Sequence, residues 1–499
     1  MKAFLMHRDE DFDIERELPA NVQALTQDLE LNTLLDAMAA GDRFLLEVTR
    51  RALFLSLREP EAIVYRQEIL ADCMENPQVV RDLYALAGEA LGAEKGIWGG
   101  LTRGSPRSML RIAVQKMEVL VTFLRRLRDI ADEHASEFRS PGLSRFFTML
   151  AEELNDEYLQ AIEGYLNELN FKGGPLLSAQ LAAGNKGTGY TLRRAREQGF
   201  IERTLDRSGY SFTLPDRDEA GVRALGELED RGMNLVADAL TQSLEHVRSF
   251  FMMLGAEIGF YVACLNLSDR LAAKQEPITF PVILPRDHVA LSAKGLYDMC
   301  LTLTVDERVV ANDVDAHRKS LVMITGANQG GKSTFLRSIG VAQLMSQCGM
   351  FVAGHSFHTN ACEGLFTHYK REEDETMQSG KLDEELARMS EIADRISANC
   401  MLLCNESFAA TNEREGSELA RHVVDALLQE HIKVLFVTHM FDLADGFYEQ
   451  GLDTALFLRA ERGSDGARPF RLSKGKPLPT SYGEDSYRKI FGPGARAIS

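Results

Sequence analysis

No uninterrupted apolar run in the sequence reaches membrane-spanning length. The N-terminus, Met1-Lys2-Ala3-Phe4-Leu5-Met6-His7-Arg8, holds too short an apolar stretch for a secretory signal. Membrane insertion and export are therefore not expected, and a cytoplasmic protein is. Cysteine is sparse: Cys73, Cys264, Cys300, Cys348, Cys362, Cys400 and Cys404 are scattered. Only Cys400 and Cys404 are near neighbours, at a spacing that matches no zinc pattern, and they bracket an expected strand. Buried reduced thiols are the expectation. Basic residues are in deficit, 56 Lys and Arg against 74 Asp and Glu, for a net charge of −18. That balance argues against a broad basic nucleic-acid surface and leaves room only for a local basic patch. Internal repeats and low-complexity segments are also missing.

What is present is a soluble-type composition, 45% hydrophobic and 26% charged, in a chain of 499 residues, enough for two or more domains. Residues 1–275 read as mostly helical. Leu25, Leu29, Leu34, Leu35 and Met38 mark a first amphipathic segment, and residues 44–57 a second, ended by Pro60. Residues 61–74 and 77–91 mark two more. A long helix is expected over 108–136, with Leu110, Val114, Met117, Val121, Leu124 and Leu127 at steps of three and four, and another over 143–170. Such lengths suit levers or arms, with a large helical bundle as the plain alternative. Gly173, Gly174 and Pro175 break the pattern. Residues 190–214 turn strand-like, with a hairpin turn near 206–209. This insert carries Lys186, Arg193, Arg194, Arg196, Arg203 and Arg207, read as a solvated charged face in preference to a phosphate-contacting tip. Helical periodicity returns over 219–274.

From Pro277 short apolar runs alternate with helical stretches, at 301–303, 321–325, 401–404, 434–438 and 455–458. This is the rhythm of a doubly wound α/β domain. Inside it, Gly326-Ala327-Asn328-Gln329-Gly330-Gly331-Lys332-Ser333 fits the phosphate-binding loop G-x-x-x-x-G-K-[ST], followed by Thr334. An apolar strand precedes it, and Phe335, Ile339, Ala342 and Met345 follow at helical spacing. The glycines let backbone N–H groups close around phosphates, and the helix N-terminus adds its positive dipole end. Lys332 is expected to reach the β- and γ-phosphates of ATP, and Ser333 to ligate Mg²⁺. Asn405 and Glu406 end a second apolar run. Asn405 stands where a carboxylate ordinarily holds Mg²⁺ through water, and Glu406 where a general base polarises the attacking water. His439 ends a third run and reads as a γ-phosphate sensor. Tyr297 and Asn312 are candidates, by position, to contact the adenine.

The region from about 280 to 485 resembles the ATPase domain of MutS mismatch-repair proteins. The family's loop T-G-x-N-x-G-G-K-S-T is matched by Thr325, Gly326, Asn328, Gly330, Gly331, Lys332, Ser333 and Thr334. Residues 310–314 resemble the segment before it, Phe366-Thr367 with Ser379-Gly380 the signature region, and Thr438-His439 and Ser481-Tyr482-Gly483 later motifs. Residues 405–420 align without a gap to the family's stretch from Walker B to the dimer-facing loop, keeping Glu406, Thr411, Gly416 and Ala420. Upstream, Arg51, Leu53, Pro60, Ile63 and Arg66-Gln67 look like the start of the lever core. The departures are Asn405 for Asp, Leu382-Asp383 for Ser-Thr, and Phe408-Ala409-Ala410 for Gly-Arg-Gly. The N-terminal mismatch-reading and connector domains have no counterpart, and the Leu-Ser-Gly-Gly-Gln signature of ABC transporter ATPases is absent.

The resemblance implies a multidomain protein. A helical core and lever over 1–275, with a short clamp-like insert at 170–216, would precede an ABC-type, MutS-like α/β P-loop NTPase domain over 276–499. It further implies an Mg²⁺-dependent ATPase that dimerises through its ATPase domains, each phosphate loop completed by the partner's signature segment. DNA is the implied partner, read by shape or at junctions, with a repair protein as a further one. The alternative is a nucleotide-gated switch that grips a protein or a ribosome and hydrolyses weakly.

Overall fold

The computed structural model describes residues 1–97, 105–171, 174–185, 187–194, 213–215, 217–371, 380–463 and 467–479. The expected helices form where local chemistry starts and stops them. Asp42 caps Arg43–Phe54 by accepting from the Phe44 and Leu45 amides, and Ser105 followed by Pro106 opens Pro106–His134. All six apolar positions expected on that long helix are buried. Two expected helices are each split. Glu30, at φ 55°, separates Val22–Asp28 from Leu31–Ala39. Asn155 accepts from the Tyr158 amide at 2.9 Å and starts a new helix, Asp156–Leu169, after Pro141–Glu153. Residues 301–303, expected as strand, lie in the short helix Met299–Thr304, because Asp298 accepts from the Leu301 amide at 2.8 Å and caps it.

The chain forms two compact units, residues 1–4, 78–139 and 143–258, and residues 5–77, 140–142 and 259–499. The first unit is helical, with an antiparallel hairpin of Leu176–Leu181 and Gly187–Arg193. The second strand of that hairpin overlaps the start of the strand region expected over 190–214, of which residues 195–212 are outside the described residues, as are Lys186, Arg196, Arg203 and Arg207. Of the remaining insert cations, Arg193 donates to Ser178 Oγ and Arg194 pairs with Glu168.

The 55-residue helix Glu219–Ala273 gives its first part to one unit and its last part to the other. Contrary to expectation, its most apolar stretch is long and apolar enough to cross a bilayer. However, 83% of that stretch is buried inside the protein, as in a core helix.

The second unit is built on a six-stranded sheet in the order Leu365–Tyr369, Met401–Asn405, Lys433–Val437, Leu321–Gly326, Ala455–Ala460, Leu472–Lys474. The first five strands are parallel and the last antiparallel. The central strands Met401–Asn405, Lys433–Val437 and Leu321–Gly326 are buried almost throughout and read as near-continuous apolar runs. A smaller four-stranded sheet of Val282–Leu284, Ser356–Asn360, Leu291–Leu296 and Asn312–Asp315 accompanies it. Helices before residue 77 belong to this unit because Arg66 and Gln67 tie them in. The buried Arg66 donates to the Met6 and Cys348 carbonyls, and Gln67 to the Pro281 carbonyl. All seven cysteines are free and buried.

Candidate nucleotide site

Parallel pairing brings the chemistry to one edge. Asn405 registers with Val437, Val437 with Ile324, and Gly326 with Ala460, so four strands bring their C-terminal ends side by side. The phosphate loop leaves its strand at Gly326 with φ 110°, and a Cβ there would stand 2.8 Å from the Ala460 backbone nitrogen. A Cβ at Gly330 would stand 2.8 Å from the Ala327 carbonyl oxygen. Only glycine admits this close turn. Helix Lys332–Gln347 follows directly, so its free N–H groups face the loop.

Lys332 is buried, and its Nζ donates to the Gly326 and Ala327 carbonyls at 3.0 and 3.2 Å. Burial lowers its pKa from the ordinary lysine value, opposed by the charge of Glu406. Ser333 Oγ donates to Asn405 Oδ1 at 2.8 Å, so the two positions expected to hold the metal converge. Both offer neutral oxygen donors, a hard set that fits Mg²⁺.

Glu406 lies at φ 55°, fixed by its amide bonding the Val437 carbonyl at 2.9 Å. Its Oε2 accepts from the His439 amide at 3.2 Å and from His439 Nδ1. A carboxylate only accepts, so Nδ1 carries the hydrogen. The hydrogen bond that His439 donates to Glu406 raises the His439 pKa above its ordinary value, against partial burial. Lys332, Ser333, Asn405, Glu406 and His439 therefore form one cluster.

Beside the loop opens a cavity of about 840 Å³ with apolar walls including Leu296, Leu301, Phe335 and Phe470, and Gln329 and Thr334 at the loop side. Asn312 lines it, but its side chain is engaged by the Phe470 carbonyl and the Leu472 amide. Tyr297 is buried elsewhere, outside this lining, with its hydroxyl unpartnered. Of the signature-region substitutions, Leu382 packs against the core while Asp383 is exposed. Ser379 and residues 481–483 lie outside the described residues.

Three contributors escaped sequence reasoning. Arg468 donates to the Asn328 carbonyl at 3.3 Å, and Phe470, at φ 58°, walls the cavity. Neither belongs to a motif; chain return along the sheet edge brings them there. Buried His368 sits between Ser407 Oγ, 2.7 Å from Nδ1, and the Glu385 carbonyl, 3.0 Å from Nε2. It joins the residue after Glu406 to helix Lys381–Ala393.

Comparison with known proteins agrees with this fold. Residues 58–274 match the family described as MutS2 N-terminal domain, and residues 322–474 match MutS domain V, an ATPase domain. The chain is 25% identical over 254 residues to MutS protein homolog 4 of Mus musculus, covering 49% of this chain and 25% of that protein. It is 27% identical over 222 residues to DNA mismatch repair protein MutS of Parabacteroides distasonis, covering 43% and 25%. To the Thermus aquaticus protein of that name it is 33% identical over 135 residues, covering 27% and 16%. The chain thus spans about a quarter or less of the length of these relatives. A helical N-terminal region, an α/β ATPase unit on a largely parallel sheet, and these two family matches in order make the chain a member of the MutS family.

Proposed function

We propose that the chain is an ATP-gated, DNA-associated clamp of the cytoplasm that works as a homodimer through its ATPase region, in mismatch-repair or recombination-type DNA transactions. The observation that carries this reading is the convergence of Ser333 with Asn405, and of Glu406 with His439, at one end of the sheet. Lys332 now spends its donors on its own loop's carbonyls, and a β- or γ-phosphate is the counter-charge it lacks. Ser333 and Asn405 would hold Mg²⁺, which when bound neutralises charge on the phosphate oxygens. Glu406 polarises the attacking water through Oε1, while Oε2 stays with His439. Protonated His439, fixed through Nδ1, presents Nε2–H to the γ-phosphate.

The exposed face of helix Lys381–Ala393, which follows the signature segment and buries Glu385 and Met389, supports completion of each site by a second copy. Long helices such as Glu219–Ala273 would carry closure to the arms. DNA would be held by backbone charge and shape, with steep salt dependence, and junctions favoured over single mismatches. Filter binding with duplex, mismatch and junction substrates across a salt series tests this. Junction binding that falls steeply with salt is expected; no binding to any substrate at low salt refutes it.

A second reading, a nucleotide-gated switch that grips a protein or a ribosome, is favoured by the net charge of −18, unusual for a DNA clamp. ATP-dependent co-sedimentation with ribosomes, without DNA binding, would select it.

A further inference from the structure

The opposite, amino-terminal edge of the parallel sheet carries a second cleft, of about 800 Å³. Ser320, Met401, Lys433 and Thr454 line it, each at or just before the start of a strand, so it lies a full strand length from the phosphate loop. Lys433 is the unusual group. It is 6% exposed, and its ammonium donates to the Ala290 carbonyl at 2.8 Å and to Asn360 Oδ1 at 2.7 Å. Both acceptors are neutral, and among the described residues Lys433 makes no ion pair. Burial draws its pKa down to about 8, opposed only by the Cys362 thiol. A buried cation without a counter-charge is costly, and proteins ordinarily pair it.

The rim supplies one further cation, Arg318, and an imidazole, His431. Arg318 and His431 are exposed, each held in a left-handed turn at φ 56° and 58°, and both line the cleft. Neither makes an ion pair among the described residues. By contrast, Arg286 is occupied by Glu59 and Glu363. The lining carboxylates are Asp425 and the exposed Asp287, whose side chain contacts His288. Met401, Leu428 and Leu452 give the cleft an apolar side, and its volume exceeds what a bare inorganic anion fills.

We propose that this cleft binds a small phosphorylated organic molecule of mononucleotide size, its phosphate drawn to Arg318 and His431 above Lys433 and its organic body against Leu428 and Leu452. The site is separate from the ATP loop and does not depend on its chemistry.

The test uses the full chain carrying Lys332→Ala, which disables the phosphate loop, with AMP, inorganic phosphate and adenosine as probes in isothermal titration calorimetry. AMP is expected to bind saturably, at least tenfold more tightly than either inorganic phosphate or adenosine. Adding Arg318→Ala and His431→Ala, both at exposed positions, is expected to weaken AMP at least tenfold while the far-UV spectrum and melting temperature stay put. Absence of saturable AMP binding overturns the proposal, as does AMP binding that the rim substitutions leave unchanged. Equal affinity for inorganic phosphate and AMP would overturn the assignment of an organic ligand.

Discussion

The Ser333 hydroxyl donates to the side-chain oxygen of Asn405 at 2.8 Å, joining the end of the phosphate loop to the end of the neighbouring motif's strand. In a MutS-like site the second position ordinarily carries Asp. An amide oxygen keeps the hydrogen-bonding role but removes a negative charge beside the metal position. Asn405→Asp is therefore expected to raise kcat and lower the Mg²⁺ concentration for half-maximal activity, on the order of tenfold or ~1.4 kcal/mol. Steady-state ATPase assays across Mg²⁺ concentrations measure both, and a rate unchanged or lower in the Asp variant would contradict this.

The pairing of Glu406 with His439 sets the pH response. Glu406 raises the His439 pKa, so the imidazolium form survives above the ordinary histidine value. The stabilisation from this pair is complete below the unfolded pKa and is lost as pH rises through the folded one. If protonated His439 helps bind the γ-phosphate, ATP affinity should fall as pH rises through that raised pKa. His439→Gln should flatten the profile. Fluorescent-nucleotide titrations from pH 6 to pH 9 check this; identical profiles in the two proteins would disprove it.

Glu406→Gln should reduce hydrolysis by about 10²–10⁴-fold, the ordinary range for loss of a general base. ATP should still bind, because Lys332 and the loop amides are intact, with affinity above neutral pH reduced only by the lost support for protonated His439. Single-turnover kinetics beside equilibrium binding separates the two effects.

Much of this site was legible in the sequence because its parts are local. The loop glycines, Lys332 and Ser333 are contiguous, and Asn405, Glu406 and His439 each end an apolar run that could only be a buried strand. Strand pairing then brings them together without further information. Arg468 and Phe470 were not legible, since their place depends on where the chain returns after strand Ala455–Ala460. The helix at Met299–Thr304 was misread because three alternating residues resemble a strand when the Asp298 cap is overlooked. The membership of residues 5–77 in the ATPase-bearing unit rests on long-range contacts of Arg66 and Gln67 that no periodicity encodes.

His368 gives a stability prediction. Burial pushes its pKa down to about 4, so it stays neutral in the fold while the unfolded chain titrates near 6.5. Between those values the unfolded state binds more protons, so stability rises with pH through this window. The full difference corresponds to about 3 kcal/mol. His7, also near 4, acts with the same sign. His368→Gln, which keeps a donor toward the Glu385 carbonyl, should lower stability at pH 7 and reduce the slope between pH 4 and pH 6.5. Urea melts across that range provide the comparison, and an unaltered slope would count against a buried neutral His368.

Gly326 gives another. With φ at 110° and Ala460 backbone at 2.8 Å from a would-be Cβ, Gly326→Ala should destabilise by ~1–3 kcal/mol and weaken ATP binding together. Thermal melts and nucleotide titrations on the same preparation measure both.

The central claim, that ATP completes its site between two copies of the chain, is tested most directly by sedimentation velocity of the Glu406→Gln protein with and without Mg²⁺-ATP. A shift from monomer to dimer on adding ATP, abolished by Lys332→Ala, is the predicted result. A sedimentation coefficient that does not respond to ATP under conditions where ATP is bound would contradict it.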